Sequence, residues 1–298
     1  MAMGADRGAV ASLAGFADTR LAPLVSGGAV PSVAYAVVTG PDVAVGGFGG
    51  ADAATVFEIG SVTKVFTAVL LACMSLSGEV ALSDPAAKYL SGVTGPVTLL
   101  DLATHTSGLP RLPPGMLPFA LLSPRDPYAR YPAKRFRRAA RRSLAAAPGG
   151  RPYAYSNYGY GLLGYLLGQA AGSSYEDLLL TRICEPLGMR DTVFDGPVVQ
   201  GYRLSRGNDN RGRRRNRAVP PWRMGALVAC GGLRSTAADL AKLLAACLAP
   251  DDSSLGQAIR LSMEPHRTIS PEAEIGLAWH RACPGESSVI WHNGMRRQ

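Results

Sequence analysis

Phe57-Glu58-Ile59-Gly60-Ser61-Val62-Thr63-Lys64 sets a hydroxyl at the head of an apolar run and an ammonium three residues later. The chain has only four lysines against 27 arginines, so a lysine in the first turn of an apolar helix calls for a reason. Lysine can give up its proton when desolvated, whereas arginine in effect cannot. On a helix running from Ser61 to about Leu76, Ser61 and Lys64 share one face, roughly 5–6 Å apart between Cβ atoms. Val62, Phe66 and Val69 surround the lysine, and burial among them would lower its pKa and make it a base. A serine beside such a base reads as an activated nucleophile. Free backbone N–H groups and the helix dipole at Ser61 favour a developing anion. The competing reading is a serine cap followed by a lysine whose ammonium snorkels to solvent.

Two further segments bear polar groups suited to the same chemistry. Tyr155-Ser156-Asn157 precedes a helix expected over about 158–171 and offers a phenol and an amide; Asn157 as a simple helix cap is the alternative. Trp291-His292-Asn293-Gly294 ends a predicted strand over 288–292, where a small residue permits close approach of a substrate to the backbone. His292 there is a candidate donor to a substrate carboxylate or carbonyl.

Around these motifs the pattern alternates between strands and helices. An amphipathic helix is predicted over 10–24, then a hairpin of strands 33–38 and 43–48 about Gly40-Pro41-Asp42. A short helical turn starts at Ser83-Asp84-Pro85, and an apolar helical face over 97–103 stops at Thr104-His105-Thr106-Ser107-Gly108-Leu109-Pro110. Residues 111–150 are irregular, apart from a basic helix over 133–147. Ser173 is expected to cap a helix reaching Cys184, and Ser235 or Thr236 the helix opened by Gly231-Gly232-Leu233. Ile275–His280 reads as one strand. Terminal strands most simply pair in one sheet, with the helical middle as a second lobe and the chemistry between them. The expected fold is therefore α+β and two-lobed, an antiparallel sheet flanked by helices plus a mostly helical lobe. It is read as a single domain over 1–298, with the sheet lobe at about 1–60 and 235–298 and the helical lobe at about 80–230.

Composition narrows the classes. The 298 residues are 47% hydrophobic, enough for a real core, and the formal net charge is +9. Arginine supplies the excess, concentrated over 125–151 and 205–221. These clusters suit an acidic partner or a solvated face; no aromatic stacking motif or helix-turn-helix signal accompanies them, so a nucleic-acid partner is not expected. Five cysteines lie at irregular spacing and four histidines form no ligand cluster, which argues against a disulfide scaffold or a bound metal. The start shows no basic-then-apolar leader pattern, and the apolar stretch 66–76 is too short to span a bilayer. A cytoplasmic protein without a membrane span is expected, its oligomeric state open.

Taken in order, Ser61-Val62-Thr63-Lys64, Tyr155-Ser156-Asn157 and His292-Asn293-Gly294 resemble the motifs of the penicillin-recognising serine hydrolases. The closer likeness is to the branch of class C β-lactamases, D-alanyl-D-alanine carboxypeptidases and related esterases. Phe57-Glu58-Ile59-Gly60, His105 to Pro110 and Gly231 to Leu240 match its secondary signatures, and the likeness runs from about residue 20 to the end. The resemblance implies a β-lactamase/transpeptidase-like fold and no cofactor. It implies that Ser61 is the nucleophile forming an acyl-enzyme, and that Lys64 and Tyr155 share the proton as the base, with Tyr155 reprotonating the leaving group. Asn157 would position the acyl side chain, and the N–H groups of Ser61 and Met295 would form the oxyanion hole, beside Gly294. His292 stands where many members have lysine, which implies weaker carboxylate recognition.

The implied substrate is a small ester, amide or lactam. An acyltransferase using the same serine and a catalytically impaired binding protein of the same fold are the alternatives. Members usually continue past the His/Lys-x-Gly strand. Only Met295-Arg296-Arg297-Gln298 follows here, so the C-terminal strands and helix are expected to be missing and an unpaired strand edge to remain near the site.

Overall fold

The computed structural model describes residues 5–123, 126–194, 207–209, 217–219, 221–283 and 288–295. Helix α1 (Ala5–Ser26) packs on a hairpin of β1 (Val33–Thr39) and β2 (Asp42–Phe48). The register runs from Val33↔Phe48 to Thr39↔Asp42. Gly40, at φ +53°, supplies the left-handed backbone that this tight turn requires. The expected amphipathic stripe does not appear on α1. Leu13, Phe16 and Leu24 are exposed, because its apolar residues are spread around the axis and the hairpin covers only some of them.

Strand β3 (Phe57–Glu58) leads through a 3₁₀ turn, Gly60–Val62, into α2 (Thr63–Leu76). Every residue of α2 from Thr63 to Ala72 is buried. A helix apolar on all sides belongs in the interior, and α2 is the centre of the fold. It is flanked by α6 (Asn157–Ala171), α9 (Ser254–Met263) and the 3₁₀ turn Gly225–Cys230.

A turn at Ala86–Tyr89 and α3 (Leu99–Ala103) come next. In α3 the Asp101 N–H donates to Thr98 Oγ1, and the Thr98 N–H donates to Asp101 Oδ2, both at 3.0 Å. This reciprocal cap satisfies donors that so short a helix would otherwise leave free. Thr98→Ala is expected to cost about 1 kcal/mol, measurable as a lower urea midpoint with unchanged slope.

Helix α4 (Leu117–Leu122) follows, then α5 (Ala133–Ala146), the predicted basic helix, which buries Phe136, Ala139, Ala140 and Leu144. Beyond α6, α7 (Tyr175–Leu179) runs on into a π turn at Leu180–Cys184. Its cap is Ser174, whose Oγ accepts from the Asp177 N–H, and not Ser173. The arginine-rich loop 205–221 lies mostly outside the described residues, apart from the pair β4 (Gly207–Asp209) and β5 (Arg217–Val219). Then come β6 (Arg234–Ser235), α8 (Ala237–Leu248) capped by Thr236, and α9.

The last strands are β7 (Arg267–Ser270), β8 (Ala273–Ile275), β9 (His280–Ala282) and β10 (Val289–Trp291), antiparallel in the order β10-β9-β8-β7. The stretch read as one strand over 275–280 is instead a hairpin that pairs Ile275 with His280. Gly276 marks the bend: a Cβ there would stand 2.6 Å from the Ser262 carbonyl oxygen. The terminal strands do not share a sheet either. Among the described residues β1 bonds only β2 and β10 only β9, while the N-terminal part reaches the later chain through β3 and β6, with Phe57 opposite Ser235. The side chains of Val289, Ile290 and Trp291 on β10 are exposed. Among the described residues no helix is long and apolar enough to cross a membrane.

Candidate active site

Gly60 makes the sharp entry into the turn that carries Ser61. Its φ is +53°, and a side chain there would press within 3.2 Å of the backbone of Met295. This turn presents Ser61 at the wall of a cavity of about 400 Å³. One turn on, Lys64 is fully buried, with none of its surface exposed. A snorkelling lysine is therefore ruled out. Its ammonium donates to Ser61 Oγ at 3.0 Å, to Asn157 Oδ1 at 2.9 Å and to the Cys230 carbonyl at 2.6 Å. Burial pulls Lys64 down from its ordinary 10.5 to about 8, and the positive charge of Arg111 adds to the fall. Thr63 beside it is also buried and accepts the Leu233 N–H at 3.1 Å, which ties the serine turn to the Gly231-Gly232-Leu233 segment.

The hydroxyl of Tyr155 donates to Ser61 Oγ at 2.7 Å from the other side. Burial raises this phenol to about 12, against smaller opposing effects from the Ser61 hydrogen bond and Arg111. The segment holding Tyr155 is anchored by 105–110. The Ala154 N–H donates to the His105 carbonyl, the Arg151 N–H to the Thr106 carbonyl and Ser156 Oγ to the Pro110 carbonyl. His105 takes a left-handed φ of 59°, a conformation that side chains seldom adopt. Its Nδ1 accepts the Ser156 N–H at 3.0 Å, so the proton of the neutral ring sits on Nε2. Burial, first of all, holds His105 well below the usual histidine range. Ser156, not Asn157, caps α6; its Oγ accepts from the Gly159 N–H at 2.8 Å. The Asn157 side chain is thereby free to face the lysine and, at 3.4 Å, the Tyr128 hydroxyl.

At the end of β10 the backbone of Gly294 closes on the serine turn. A Cβ at Gly294 would stand 2.0 Å from the Ile59 carbonyl oxygen. Asn293 and Met295 line the cavity at this wall together with Ser61. The ring of His292 does not form part of the cavity lining. Its Nδ1 donates to the Asn293 carbonyl at 2.7 Å, which leaves Nε2 as a buried lone pair without a partner. Burial pushes this ring down to about 3. The sequence reading of His292 as a donor to a carboxylate is thus corrected: a neutral ring with Nδ1 committed can only accept at Nε2.

Sequence reasoning missed four contributors: the Cys230 carbonyl on Lys64, and Tyr128, Trp222 and Arg111 in the cavity wall. Only Arg111 carried a signal, as the residue directly after His105–Pro110. No group of three or more His, Cys, Asp or Glu side chains among the described residues is placed to hold a metal.

Comparison with known proteins bears on this arrangement. The β-lactamase family model matches residues 17–298. A D-alanyl-D-alanine-carboxypeptidase/endopeptidase, AmpH, of Escherichia coli K12 is 34% identical over 206 residues, covering 66% of this chain and 50% of the relative. A β-lactamase of the same strain is 31% identical over 276 residues, covering 87% and 68%. Among solved structures, the octameric penicillin-binding protein homologue from Pyrococcus abyssi superposes with a TM-score of 0.76 at 26% identity, over 90% of this chain and 65% of that one. A class C β-lactamase gives a TM-score of 0.77 at 23% identity, over 91% and 75%, and speaks to the fold alone. The matches to the two relatives thus span about half to two thirds of their length. With a family model matching nearly the whole sequence, on an α+β fold shared with those structures, the chain belongs to the β-lactamase family.

Proposed function

We propose that this chain is a serine hydrolase that cleaves an ester, amide or β-lactam through an acyl-enzyme on Ser61. The observation that carries the reading is the double hydrogen bond at Ser61 Oγ, from the buried Lys64 ammonium at 3.0 Å and from the Tyr155 phenol at 2.7 Å. A hydroxyl needs a base before it attacks. A lysine titrating near 8 has a usable neutral fraction at neutral pH, whereas a phenol near 12 has almost no phenolate. Lys64 therefore takes the Ser61 proton, and Tyr155 serves as a neutral relay that hands a proton to the leaving group. The developing oxyanion meets the N–H groups of Ser61 and Met295, donors fixed before the reaction begins. Water then attacks the acyl-enzyme with Lys64 again as the base. The names of the relatives, a carboxypeptidase/endopeptidase and a β-lactamase, support acyl transfer of this kind.

The test is intact-protein mass after exposure to a fluorescent penicillin and to p-nitrophenyl butyrate, with Ser61→Ala alongside. A mass increase or turnover that disappears in Ser61→Ala is the expected result. A folded protein with neither adduct nor serine-dependent turnover would overturn the reading.

A further inference from the structure

Arg111 lies on the cavity wall beside the proposed nucleophile. Its guanidinium carbon is 5.1 Å from the centre of the Tyr155 ring, the ring whose hydroxyl donates to Ser61. Through that ring the guanidinium stands within roughly 11 Å of Ser61 Oγ, given ordinary bond lengths. A cation–π contact of this kind uses none of the N–H donors of the guanidinium fork as hydrogen bonds to oxygen and leaves them available to a ligand. Among the described residues that fork makes no hydrogen bond and no ion pair, and the Arg111 side chain is exposed. Only its backbone is committed, the carbonyl accepting the Tyr158 N–H.

Nothing in the cavity wall neutralises this charge. No Asp or Glu lines the cavity among the described residues. Glu58, which accepts the Trp222 N–H at 2.7 Å, and Asp126, which accepts the Arg223 N–H at 3.1 Å, form no ion pair with Arg111 among the described residues. The other candidate for holding a substrate anion, His292, offers only a lone pair.

We propose that Arg111 is a specificity determinant that binds a carboxylate carried by the acyl donor, so that this site prefers anionic substrates over neutral ones of equal size. A free planar fork accepts a carboxylate through two parallel hydrogen bonds, the strongest arrangement open to it. Arg111 contacts the part of the substrate remote from the scissile bond and takes no share in the proton transfers. The inference rests on the acyl-hydrolase reading of the same site.

Mono-p-nitrophenyl glutarate and p-nitrophenyl pentanoate form a suitable pair, alike in length and leaving group and different in charge, once the spontaneous hydrolysis of the glutarate, whose carboxylate attacks its own ester, is subtracted with an enzyme-free blank. The wild type is expected to favour the glutarate at least ten-fold in kcat/KM. In Arg111→Gln that ratio is expected to fall at least ten-fold, mostly through KM, and Arg111→Lys should keep part of it. The wild-type preference should also shrink as salt is raised.

A binding arm works without turnover. On Ser61→Ala, glutaric acid monoanilide is titrated by calorimetry, with and without Arg111→Gln. Binding at least ten-fold weaker in the double variant supports the assignment, and equal binding overturns it. Turnover of both esters with no preference, or a preference untouched in Arg111→Gln, overturns the assignment and leaves the hydrolase intact. Absence of any Ser61-dependent turnover or adduct, with Arg111-dependent binding retained, overturns the hydrolase reading alone.

Discussion

Lys64→Met should lower kcat/KM by about 10³-fold, in the range that a positioned general base contributes. Methionine fills the space of the lysine stem in a fully buried site but can neither take the Ser61 proton nor donate to it. The same residue sets the pH profile of the wild type. The base must be unprotonated, so log kcat/KM should rise with a slope near one below pH 8 and level off above it. Neither His105 nor His292 interferes, since burial holds His105 well below its usual range and His292 near 3. A profile that is flat from pH 6 to 9, or Lys64→Met with near wild-type turnover, would remove Lys64 from the mechanism.

The same titration should appear in stability. The folded lysine loses its proton near 8, while the unfolded one holds it to about 10.5. Between those values the unfolded chain binds the extra proton on this residue, so the Lys64 contribution to stability rises with pH across that window. Below 8 both states are protonated and the burial penalty is fully present, at about 3 kcal/mol for a difference of this size. Subtracting the Lys64→Met denaturation series from the wild-type series isolates this term from the buried cysteines and tyrosines, which deprotonate in the unfolded chain from about 9.0 and 10.0 and so act in the opposite sense within the same window.

How much of this was legible beforehand follows from the range of the interactions. Ser61, Lys64, Tyr155 and Asn157 were readable because each sits at a helix start with a marked local composition, and the structure brings all four within hydrogen-bond reach. Three details were not readable, because residue type reports neither backbone acceptors nor the packing of one segment on another. The Cys230 carbonyl reaches Lys64 across 166 positions, and an amide acceptor leaves no trace in residue type. The tautomer of His292 is set by the Asn293 carbonyl, which turns an expected donor into an acceptor. The hairpin within 275–280 was hidden because Ile275, Leu277 and Trp279 alternate as a strand would, while the bend depends on Gly276 lying against the end of α9 and on Ala278 at φ +67°. The missed pairing of the terminal strands has the same origin. Strand propensity says that β1 and β10 are strands, but their partners are decided by the path of the chain between them.

Gly294→Ala should lower kcat about 10²-fold, the lower end of what one oxyanion donor is worth. The added methyl would stand 2.0 Å from the Ile59 carbonyl oxygen and 3.2 Å from Val62 Cγ2. Backbone cannot yield as a flexible side chain does, so the strand end must move away from the serine turn. That movement carries the Met295 N–H with it, out of line with Ser61. The hydrogen bonds from Lys64 and Tyr155 to Ser61 involve neither residue 294 nor residue 295. The nucleophile is therefore expected to stay activated while the anion it creates loses a donor. The signature is a fall in kcat that leaves the pH dependence, with its apparent pKa near 8, unchanged. Lys64→Met should instead abolish that dependence, so the two variants separate the base from the oxyanion hole. Far-ultraviolet circular dichroism should show the fold retained in Gly294→Ala, since among the described residues β10 pairs only with β9 and its side chains are exposed. Wild-type kcat in a folded Gly294→Ala would mean that the strand end can shift without cost, and would remove the Met295 N–H from the oxyanion hole.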